Sequence, residues 1–322
     1  MFPYDFDLSL VIAFQSLGDW LVPFMRFFSF LGTEEFYIIL LPILYWCIDT
    51  QLGIRVGVIM LFGSGLNSIL KIPFHGPRPY WYSSDVKPFW AETSFGVPSG
   101  HAQQSVTVWG FMAGYLRKPW AWAAAIFLML MIGLSRPLLG AHFFLDISVG
   151  WLVGSLLLWL FLRYWDGVVA WAREKSLVQQ VTYAFLVSLG MLLIGGLIAF
   201  LNRDFTLPET WLANAARAGD ELPAPVSMSG IITSAATLFG LLTGVAWIAD
   251  RGAWQASGPV WMRAARYVLG LVGVLVIWYG LGAVFPRGEA LLPYVLRFIR
   301  YGLLGLWVSA GAPLMFMKLK LS

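Results

Sequence analysis

Three short stretches of this sequence hold the residue types that could carry out chemistry. The first pairs Lys71 with Arg78 in the pattern K-x6-R-P, the second is P-S-G-H at residues 98–101, and the third reads S-R-x5-H-x3-D over residues 135–146. Their defining residues include two of the three histidines in the chain, several cations and one carboxylate. Such a set suits phosphoryl transfer without a metal ion, because cations and helix-start N–H groups can hold phosphate oxygens while an imidazole attacks phosphorus.

The third motif has the most informative spacing. His142 and Asp146 are four residues apart, which places them on one face of a helix. A carboxylate in that position can keep one imidazole nitrogen protonated and leave the other free to attack. The alternative is a purely structural pair, because an acidic side chain near a helix start is stabilised by the helix dipole in any case.

The second motif is typical of a helix start. Ser99 suits a helix cap, Gly100 lets a ligand approach the backbone closely, and His101 in the first turn could give a proton to a leaving oxygen. The free N–H groups of such a helix start form an anion site. The alternative is an ordinary helix cap followed by an interfacial histidine.

The first motif lies where an apolar run ends. Prolines at 73, 77 and 79 cannot continue the helix, which leaves Lys71 at its end and Arg78 in the loop. A cation at the centre of a bilayer costs about 2.5–3.5 kcal/mol, so both side chains are expected at the interface or in a polar cavity. They could also be simple interfacial anchors. Successive membrane crossings place all three motifs on the same side of the membrane.

The composition indicates a polytopic membrane protein. Hydrophobic residues make up 59% of the chain and charged residues only 12%, while the net charge of +4 is scattered over short loops and does not indicate a nucleic-acid partner. We predict an all-α fold with nine or ten spans: a six-helix core and a four-helix C-terminal extension. The predicted spans are 36–48, 53–70, 101–116, 120–134, 145–164, 178–201, 226–248, 266–285 and 291–317. Residues 8–31 form either one broken span or an interfacial helix followed by a short span.

The motifs divide the chain into two parts. Residues 1–165 hold all three motifs, a basic link follows at about 163–176, and residues 177–322 carry no histidine. Basic residues outside the motifs are more frequent on the side opposite the motifs, which predicts that the motifs face outward and that the C-terminal MKLKLS is cytoplasmic. The N-terminal MFPYDFDLSL lacks the features of a cleaved signal peptide.

The three motifs together resemble those of the type-2 phosphatidic acid phosphatase superfamily, which also includes glucose-6-phosphatases and vanadium haloperoxidases. The resemblance covers about residues 30–165. It implies that His142 is a nucleophile forming a phosphohistidine, that Asp146 orients it, and that His101 protonates the leaving alkoxide. It further implies that the phosphate oxygens are held by cations and by the backbone of the second motif, with no metal and no cofactor. These phosphate-binding residues are Lys71, Arg78, Arg136, Ser99 and Gly100.

A weaker resemblance concerns the substrate. Residues 31–37, then Tyr45-Trp46 and Asp49, are similar to the sphingosine-1-phosphate phosphatase branch and its bacterial relatives. This weaker resemblance does not fix a substrate. The membrane-embedded core favours a lipid over a soluble sugar phosphate, so we expect a lipid phosphatase of a bacterial plasma membrane, acting on a lipid phosphate or diphosphate at the outer interface. Two alternatives stay open: a lipid phosphotransferase with the same catalytic residues, and a transporter or scaffold whose function lies in residues 177–322.

Two further features of the outer loops are His75 and a group of aromatic residues. His75 lies inside the first motif but between its defining residues, and is expected to be a loop or interface residue. The aromatic residues after that motif are expected to form a belt at the membrane surface. They could instead form a wall that guides a lipid head group. These residues are Tyr80, Trp81, Tyr82 and Trp90.

Overall fold

The computed structural model describes residues 4–219, 222–251 and 254–321. All regular secondary structure in these ranges is helical, which confirms the predicted all-α class. Residues 1–3 of the N-terminal segment and Ser322 of the C-terminal tail, on which predictions were made above, lie outside the described residues. The helices are α1 (Tyr4–Gln15), α2 (Val22–Phe30), α3 (Glu34–Ile43), α4 (Thr50–Phe74), α5 (Pro79–Tyr82), α6 (Gly100–Ser105), α7 (Phe111–Leu116), α8 (Pro119–Leu138), α9 (Phe144–Arg173), α10 (Leu177–Leu201), α11 (Glu209–Ala215), α12 (Ser229–Asp250), α13 (Val260–Leu275), α14 (Leu281–Val284), α15 (Leu291–Leu306) and α16 (Ala312–Lys318).

The predicted number of nine or ten spans is not confirmed. Within the described ranges, 7 helices are long and apolar enough to cross a membrane, or up to 8 if a bent pair is one span. Every predicted run is helical, but α3 with its following π turn, and α6 with α7, are shorter than the roughly 20 residues that cross hydrocarbon. The candidate spans are Thr50–Tyr82, Pro119–Leu138, Phe144–Arg173, Leu177–Leu201, Ser229–Asp250, Val260–Val284 and Leu291–Lys318.

The segment predicted at 8–31 is a bent pair of helices. α1 ends at Gln15, and a 3-10 turn over Asp19–Leu21 leads into α2. The two arms meet at 82°, as in a broken span or a re-entrant loop. The bend falls at Gly18, whose φ of 116° is a conformation that glycine adopts without steric cost.

The chain forms two compact units, each assembled from three separate stretches. Unit 1 comprises residues 1–37, 67–159 and 196–227, and unit 2 comprises residues 38–66, 160–195 and 228–322. All three motifs lie in unit 1. The predicted division into residues 1–165 and 177–322 concerns the order of motifs along the chain and stays a prediction.

The core of unit 1 is aromatic and surrounds the loops that carry the motifs. Tyr80, Trp81, Phe95 and Phe143 are buried together, and the Tyr4 ring lies 5.0 Å from that of Phe143. Tyr80 and Trp81, expected in a surface belt, are only 2% and 0% exposed. Their rings therefore support the loops from inside the protein.

The core of unit 2 joins an early part of the chain to its end. Tyr45 and Trp46 are buried within it. The Tyr45 hydroxyl donates to the Ser309 carbonyl at 2.8 Å, and the Trp46 Nε1–H donates to the Val308 carbonyl at 2.9 Å. Helix α12 packs against α15 in the same unit.

Candidate active site

Helix ends in unit 1 bring the predicted site residues together. Lys71 lies near the end of α4, Arg78 precedes α5, and Ser99 caps α6. Arg136 lies in the last turn of α8, and the His142–Asp146 pair spans the start of α9. These helices end here because prolines 73, 79 and 137 sit at or beside their termini.

The His142 imidazole lies between a carboxylate and a guanidinium. Its Nδ1 is 3.1 Å from Asp146 Oδ2, and its Nε2 is 3.2 Å from Arg78 Nη1. A guanidinium can only donate and a carboxylate can only accept, so both neighbours favour the tautomer with Nδ1 protonated and Nε2 unprotonated. The Phe143 backbone N–H also donates to Asp146 Oδ2, at 3.0 Å, which fixes the carboxylate against the ring.

The protonation of His142 follows from its surroundings. The residue is only 1% exposed. Burial lowers the pKa of His142 well below its ordinary value, and the charges of Arg78 and Lys71 lower it further. The imidazole is therefore neutral at pH 7, with its Nε2 lone pair facing the cations.

Arg78 is fixed by the loop that precedes the second motif. Its Nε donates to the Ser94 carbonyl at 2.7 Å, and its Nη2 donates to Ser94 Oγ at 3.0 Å and to the Phe95 carbonyl at 3.2 Å. Its Nη1 also donates to the Ala141 carbonyl at 2.9 Å. These contacts hold the guanidinium plane beside His142 with 1% of the residue exposed.

Lys71 is held by the same loop. Its Nζ donates to the Phe95 carbonyl at 2.6 Å, and the residue is 8% exposed. A lysine keeps three N–H donors, so two remain for a ligand or another acceptor.

Glu92 is a site residue that the sequence motifs did not reveal. Its Oε1 accepts from Arg136 Nη2 at 2.9 Å and from Trp90 Nε1 at 3.1 Å, and its Oε2 lies 3.9 Å from Arg78 Nη2. Burial alone would raise the pKa of Glu92, but the Arg78 and Arg136 guanidiniums lower that pKa to about 2. The only sequence signal was an isolated acidic residue in the loop between two cationic motifs.

Arg136 completes the ring of cations. Its Nη1 donates to Ser29 Oγ at 2.6 Å, its guanidinium lies 5.4 Å from the centre of the Trp90 ring, and the residue is 0% exposed. Among the described residues its Nε has no hydrogen-bond partner. Trp90 therefore stacks on a site arginine rather than standing in a membrane belt.

The second motif forms the predicted helix start, with one difference. Ser99 Oγ accepts from the Ala102 N–H at 3.4 Å, as a helix cap should. However, the Ser99 backbone N–H donates to the Asp146 carbonyl at 2.9 Å, so this amide already has a partner. Within the described chain, His101 Nε2 is buried without a hydrogen-bond partner, and its ring packs on Gly32.

Asp7 in α1 is the second site residue missed from the sequence. Its two carboxylate oxygens accept from the Phe144 N–H at 2.9 Å and the Leu145 N–H at 2.8 Å. These are the first two N–H groups of α9, the helix that carries Asp146. A lone aspartate more than a hundred residues upstream gives no local signal for this cap.

Gly96 makes room for the Asp146 carboxylate. A Cβ at residue 96 would stand 2.7 Å from Asp146 Oδ2 and 2.7 Å from the Pro77 carbonyl oxygen. Any larger residue would push the carboxylate away from His142.

The predicted loop residue His75 is close to the site but does not face it. Its ring stacks on Phe205 at 4.0 Å and lies 5.4 Å from Phe95. In the described ranges, no three His, Cys, Asp or Glu side chains gather in a way that could hold a metal ion. The positive charge facing His142 comes from Lys71, Arg78 and Arg136.

Comparison with known proteins finds two family models that match this chain. The PAP2 superfamily model matches residues 52–169, and the model of the PAP2 superfamily phosphatase transmembrane extension matches residues 232–322. No solved structure matches the chain significantly.

Curated relatives include several phosphatases. A probable sphingosine-1-phosphate phosphatase of Dictyostelium discoideum is 33% identical over 103 residues, 30% of this chain and 24% of that protein. Glucose-6-phosphatase 3 of Mus musculus is 27% identical over 320 residues, 88% of this chain and 87% of that protein. Phosphatidylglycerophosphatase B of Bacillus subtilis (strain 168) is 28% identical over 171 residues, 48% of this chain and 80% of that protein. The chain thus spans only about a quarter of the Dictyostelium relative.

Both family models belong to the PAP2 superfamily. One model covers the segment with all three motifs, the other covers the C-terminal helices, and the relatives named above are phosphatases. The chain belongs to the PAP2 superfamily, and it is an all-helical integral membrane protein.

Proposed function

We propose that this protein hydrolyses a lipid phosphate or diphosphate through a phosphohistidine, without a metal ion. One observation carries the proposal. His142 is held between Asp146 and Arg78 so that its unprotonated Nε2 faces the cations. A phosphate bound to those cations would present its phosphorus to that nitrogen.

The first chemical step is attack of His142 Nε2 on phosphorus. The N–P bond forms as the P–O bond to the leaving group breaks, and Asp146 stabilises the positive charge that develops on the ring. His101 gives a proton to the leaving oxygen. A bound phosphate favours the protonated form of the His101 imidazole, because opposite charges attract at close range.

The second step regenerates the enzyme. Water attacks the phosphohistidine, the N–P bond breaks, and His101 takes a proton from that water. Inorganic phosphate leaves and His142 returns to its neutral form.

The cations stabilise both transition states. Charge spreads over the equatorial oxygens during phosphoryl transfer, and fixed N–H donors stabilise it without reorganising. In this proposal Lys71, Arg78 and Arg136 bind those oxygens, with the Gly100 amide at the start of α6. The Ser99 amide would have to leave the Asp146 carbonyl before it could join them.

The substrate class rests on two considerations. A site at the ends of membrane-spanning helices favours a substrate that is itself in the bilayer, and two of the three relatives are named for lipid substrates. The glucose-6-phosphatase relative covers most of the chain and supports a second candidate, a soluble sugar phosphate monoester. Phosphoryl transfer to a second lipid would use the same residues.

The site is proposed to face outward from a bacterial plasma membrane. The excess of basic residues on the opposite side of the predicted topology supports this orientation.

The deciding experiment measures phosphate release in detergent with EDTA present. The panel contains phosphatidic acid, phosphatidylglycerophosphate, a polyprenyl diphosphate, a sphingoid phosphate and glucose 6-phosphate. Wild type is compared with His142→Ala and with the control His75→Asn. The His75 ring stacks on Phe205, away from Lys71, Arg78 and Arg136. We expect His142→Ala to lose at least about 10³-fold in kcat and His75→Asn to keep activity.

The outcomes separate the candidates. Release from lipids but not from glucose 6-phosphate supports the lipid phosphatase, and the reverse result replaces it with a sugar phosphatase. Loss of lipid phosphate only when an acceptor lipid is added identifies a phosphotransferase. Equal rates for wild type and His142→Ala would remove His142 as the nucleophile.

A further inference from the structure

A cavity in unit 2 is lined by three arginines. It lies between the 285–288 loop and the first turns of α15. Arg287 comes from the loop, and Arg297 and Arg300 come from the helix.

Protein contacts hold the two helical arginines in place. Arg297 Nη1 donates to Thr233 Oγ1 at 3.2 Å, and both guanidiniums lie over the Tyr301 ring, at 5.9 and 5.1 Å from its centre. The Arg300 guanidinium packs so closely on residue 282 that a Cβ there would stand 2.9 Å from it, and residue 282 is a glycine. These side chains therefore do not simply extend to solvent as interfacial anchors do.

The positive charge of this cavity has no counter-charge in the described part of the chain. None of the three guanidiniums forms an ion pair there, and Glu289 in the same loop does not line the cavity. Arg300 Nε is buried without a hydrogen-bond partner. Cations of a membrane-spanning helix that have no counter-charge indicate a candidate site for an anionic ligand.

The position in the chain indicates the type of ligand. The cavity lies between the candidate spans Val260–Val284 and Leu291–Lys318, at the loop that joins them. The ends of two spans lie at the level of lipid head groups, where anionic phosphates are concentrated. Arginine is the side chain best suited to a phosphate, because its fork of N–H donors matches two phosphate oxygens.

We propose that this cavity binds the phosphate group of an anionic phospholipid. The lipid phosphate accepts hydrogen bonds from Arg297 and Arg300, with Arg287 closing the site from the loop. The site lies in the region matched by the transmembrane-extension model and makes no use of the His142 site. It gives residues 285–300 a binding role separate from catalysis.

The test titrates the detergent-solubilised full chain with phosphatidylglycerol, and with phosphatidylcholine as a neutral reference. The dependence of Tm on lipid mole fraction gives an apparent Kd. The variants are Arg297→Gln with Arg300→Gln, and the loop variant Arg287→Gln, which replaces an exposed side chain. The matched control is Arg251→Gln, an exposed arginine of the same unit outside the cavity. We expect the double variant to bind phosphatidylglycerol at least tenfold more weakly and Arg251→Gln to bind as wild type.

Inorganic phosphate is the second probe. Failure of free phosphate to displace phosphatidylglycerol supports a lipid-borne ligand. Displacement by millimolar phosphate supports the same phosphate-binding arginines but assigns the free ion as occupant. If the double variant does not yield folded protein, Arg287→Gln is expected to weaken binding by itself. Unchanged Kd values in every cavity variant overturn the proposal and leave the arginines as interfacial anchors.

Discussion

The cations around His142 are accompanied by a carboxylate, that of Glu92. Arg78 and Arg136 are 1% and 0% exposed, and such buried charges are tolerated only when paired and hydrogen-bonded. Glu92 supplies the pairing for both. Because the pKa of Glu92 is about 2, its carboxylate stays ionised across the physiological range. It is therefore in place to orient the arginines before substrate arrives, and it competes with phosphate for the same N–H donors.

Replacing Glu92 with glutamine should separate binding from catalysis. The variant removes one negative charge beside three cations, so we expect inorganic phosphate to inhibit about tenfold more tightly. The guanidiniums also lose the partner that fixes their planes, so kcat should fall by about 10–100-fold. Steady-state kinetics with phosphate as competitive inhibitor measures both effects.

A matched control for this variant is Glu209→Gln, at an exposed position in α11 of the same unit. It should change neither kcat nor the inhibition constant. An unchanged kcat in Glu92→Gln would show that the arginines are positioned without this carboxylate.

The pH dependence of catalysis should report the lowered pKa of His142. The proposed attack by His142 requires the neutral imidazole, and burial together with Arg78 and Lys71 lowers the pKa of His142 below its ordinary value of 6.5. The neutral form therefore persists to lower pH than for an ordinary histidine, and the acid limb of kcat/KM should lie below pH 6.5. In Lys71→Gln one repelling charge is gone, so the limb should move to higher pH while the maximal rate falls.

The comparison uses one substrate for both proteins, because the phosphate monoester itself titrates near pH 6. The difference between the two profiles then belongs to the enzyme. A limb that stays in place in Lys71→Gln would mean that another group controls it.

Among the helices, α1 contributes most to the site without carrying a motif. Asp7 caps the first two N–H groups of α9, and Gln15 at the other end of α1 donates to the carbonyls of Lys87 and Leu138. The helix thus connects the loop that contains Lys87 and the end of α8 to the start of α9. A residue that caps α9 positions His142 and Asp146 without touching the substrate.

Asp7→Ala should therefore impair turnover more than binding. Loss of a helix cap costs about 0.5–2 kcal/mol, so Tm should fall by a few degrees. The free start of α9 should also displace the His142–Asp146 pair, lowering kcat about tenfold with little change in KM. Asp7→Asn keeps one acceptor oxygen and should recover part of both.

The matched control lies on the same helix. Asp5→Ala removes an exposed carboxylate that contacts only Tyr82 among the hydrogen bonds described. It should keep kcat close to wild type. Equal kcat values for Asp7→Ala and wild type would reduce Asp7 to a structural cap.

The helix ends also show how far sequence could lead. The three motifs are local patterns whose prolines and glycines mark helix termini, so their spacing predicted where these residues lie along the helices, while their proposed roles come from the family resemblance. Glu92 and Asp7 act through partners 44 and more than a hundred residues away, and a single carboxylate carries no sign of a distant partner. The belt predicted for Tyr80 and Trp81 was wrong because aromatic residues suit a membrane surface and a protein core equally.

At the scale of the whole molecule, the sequence predicted helices better than their arrangement. The number of spans was not confirmed because α3 and α6–α7 are apolar but short. The assembly of each unit from three stretches could not be predicted, because helices such as α10 are apolar on all sides and reveal no preferred partner. Only contacts such as Trp46 with Val308 reveal which segments pack together.

These contacts predict that residues 1–176 do not fold alone. Truncation would remove the partners of Tyr45 and Trp46 in unit 2. Lipid can cover an exposed apolar face at little cost. The loss of stability therefore comes from lost packing and from two donors, the Tyr45 O–H and the Trp46 Nε1–H, that no longer have acceptors. We expect the truncated chain to aggregate on size-exclusion chromatography in detergent, and co-expression of residues 177–322 to restore a monodisperse, active complex. A monodisperse and active 1–176 fragment would instead establish the motif-bearing half as an independent domain.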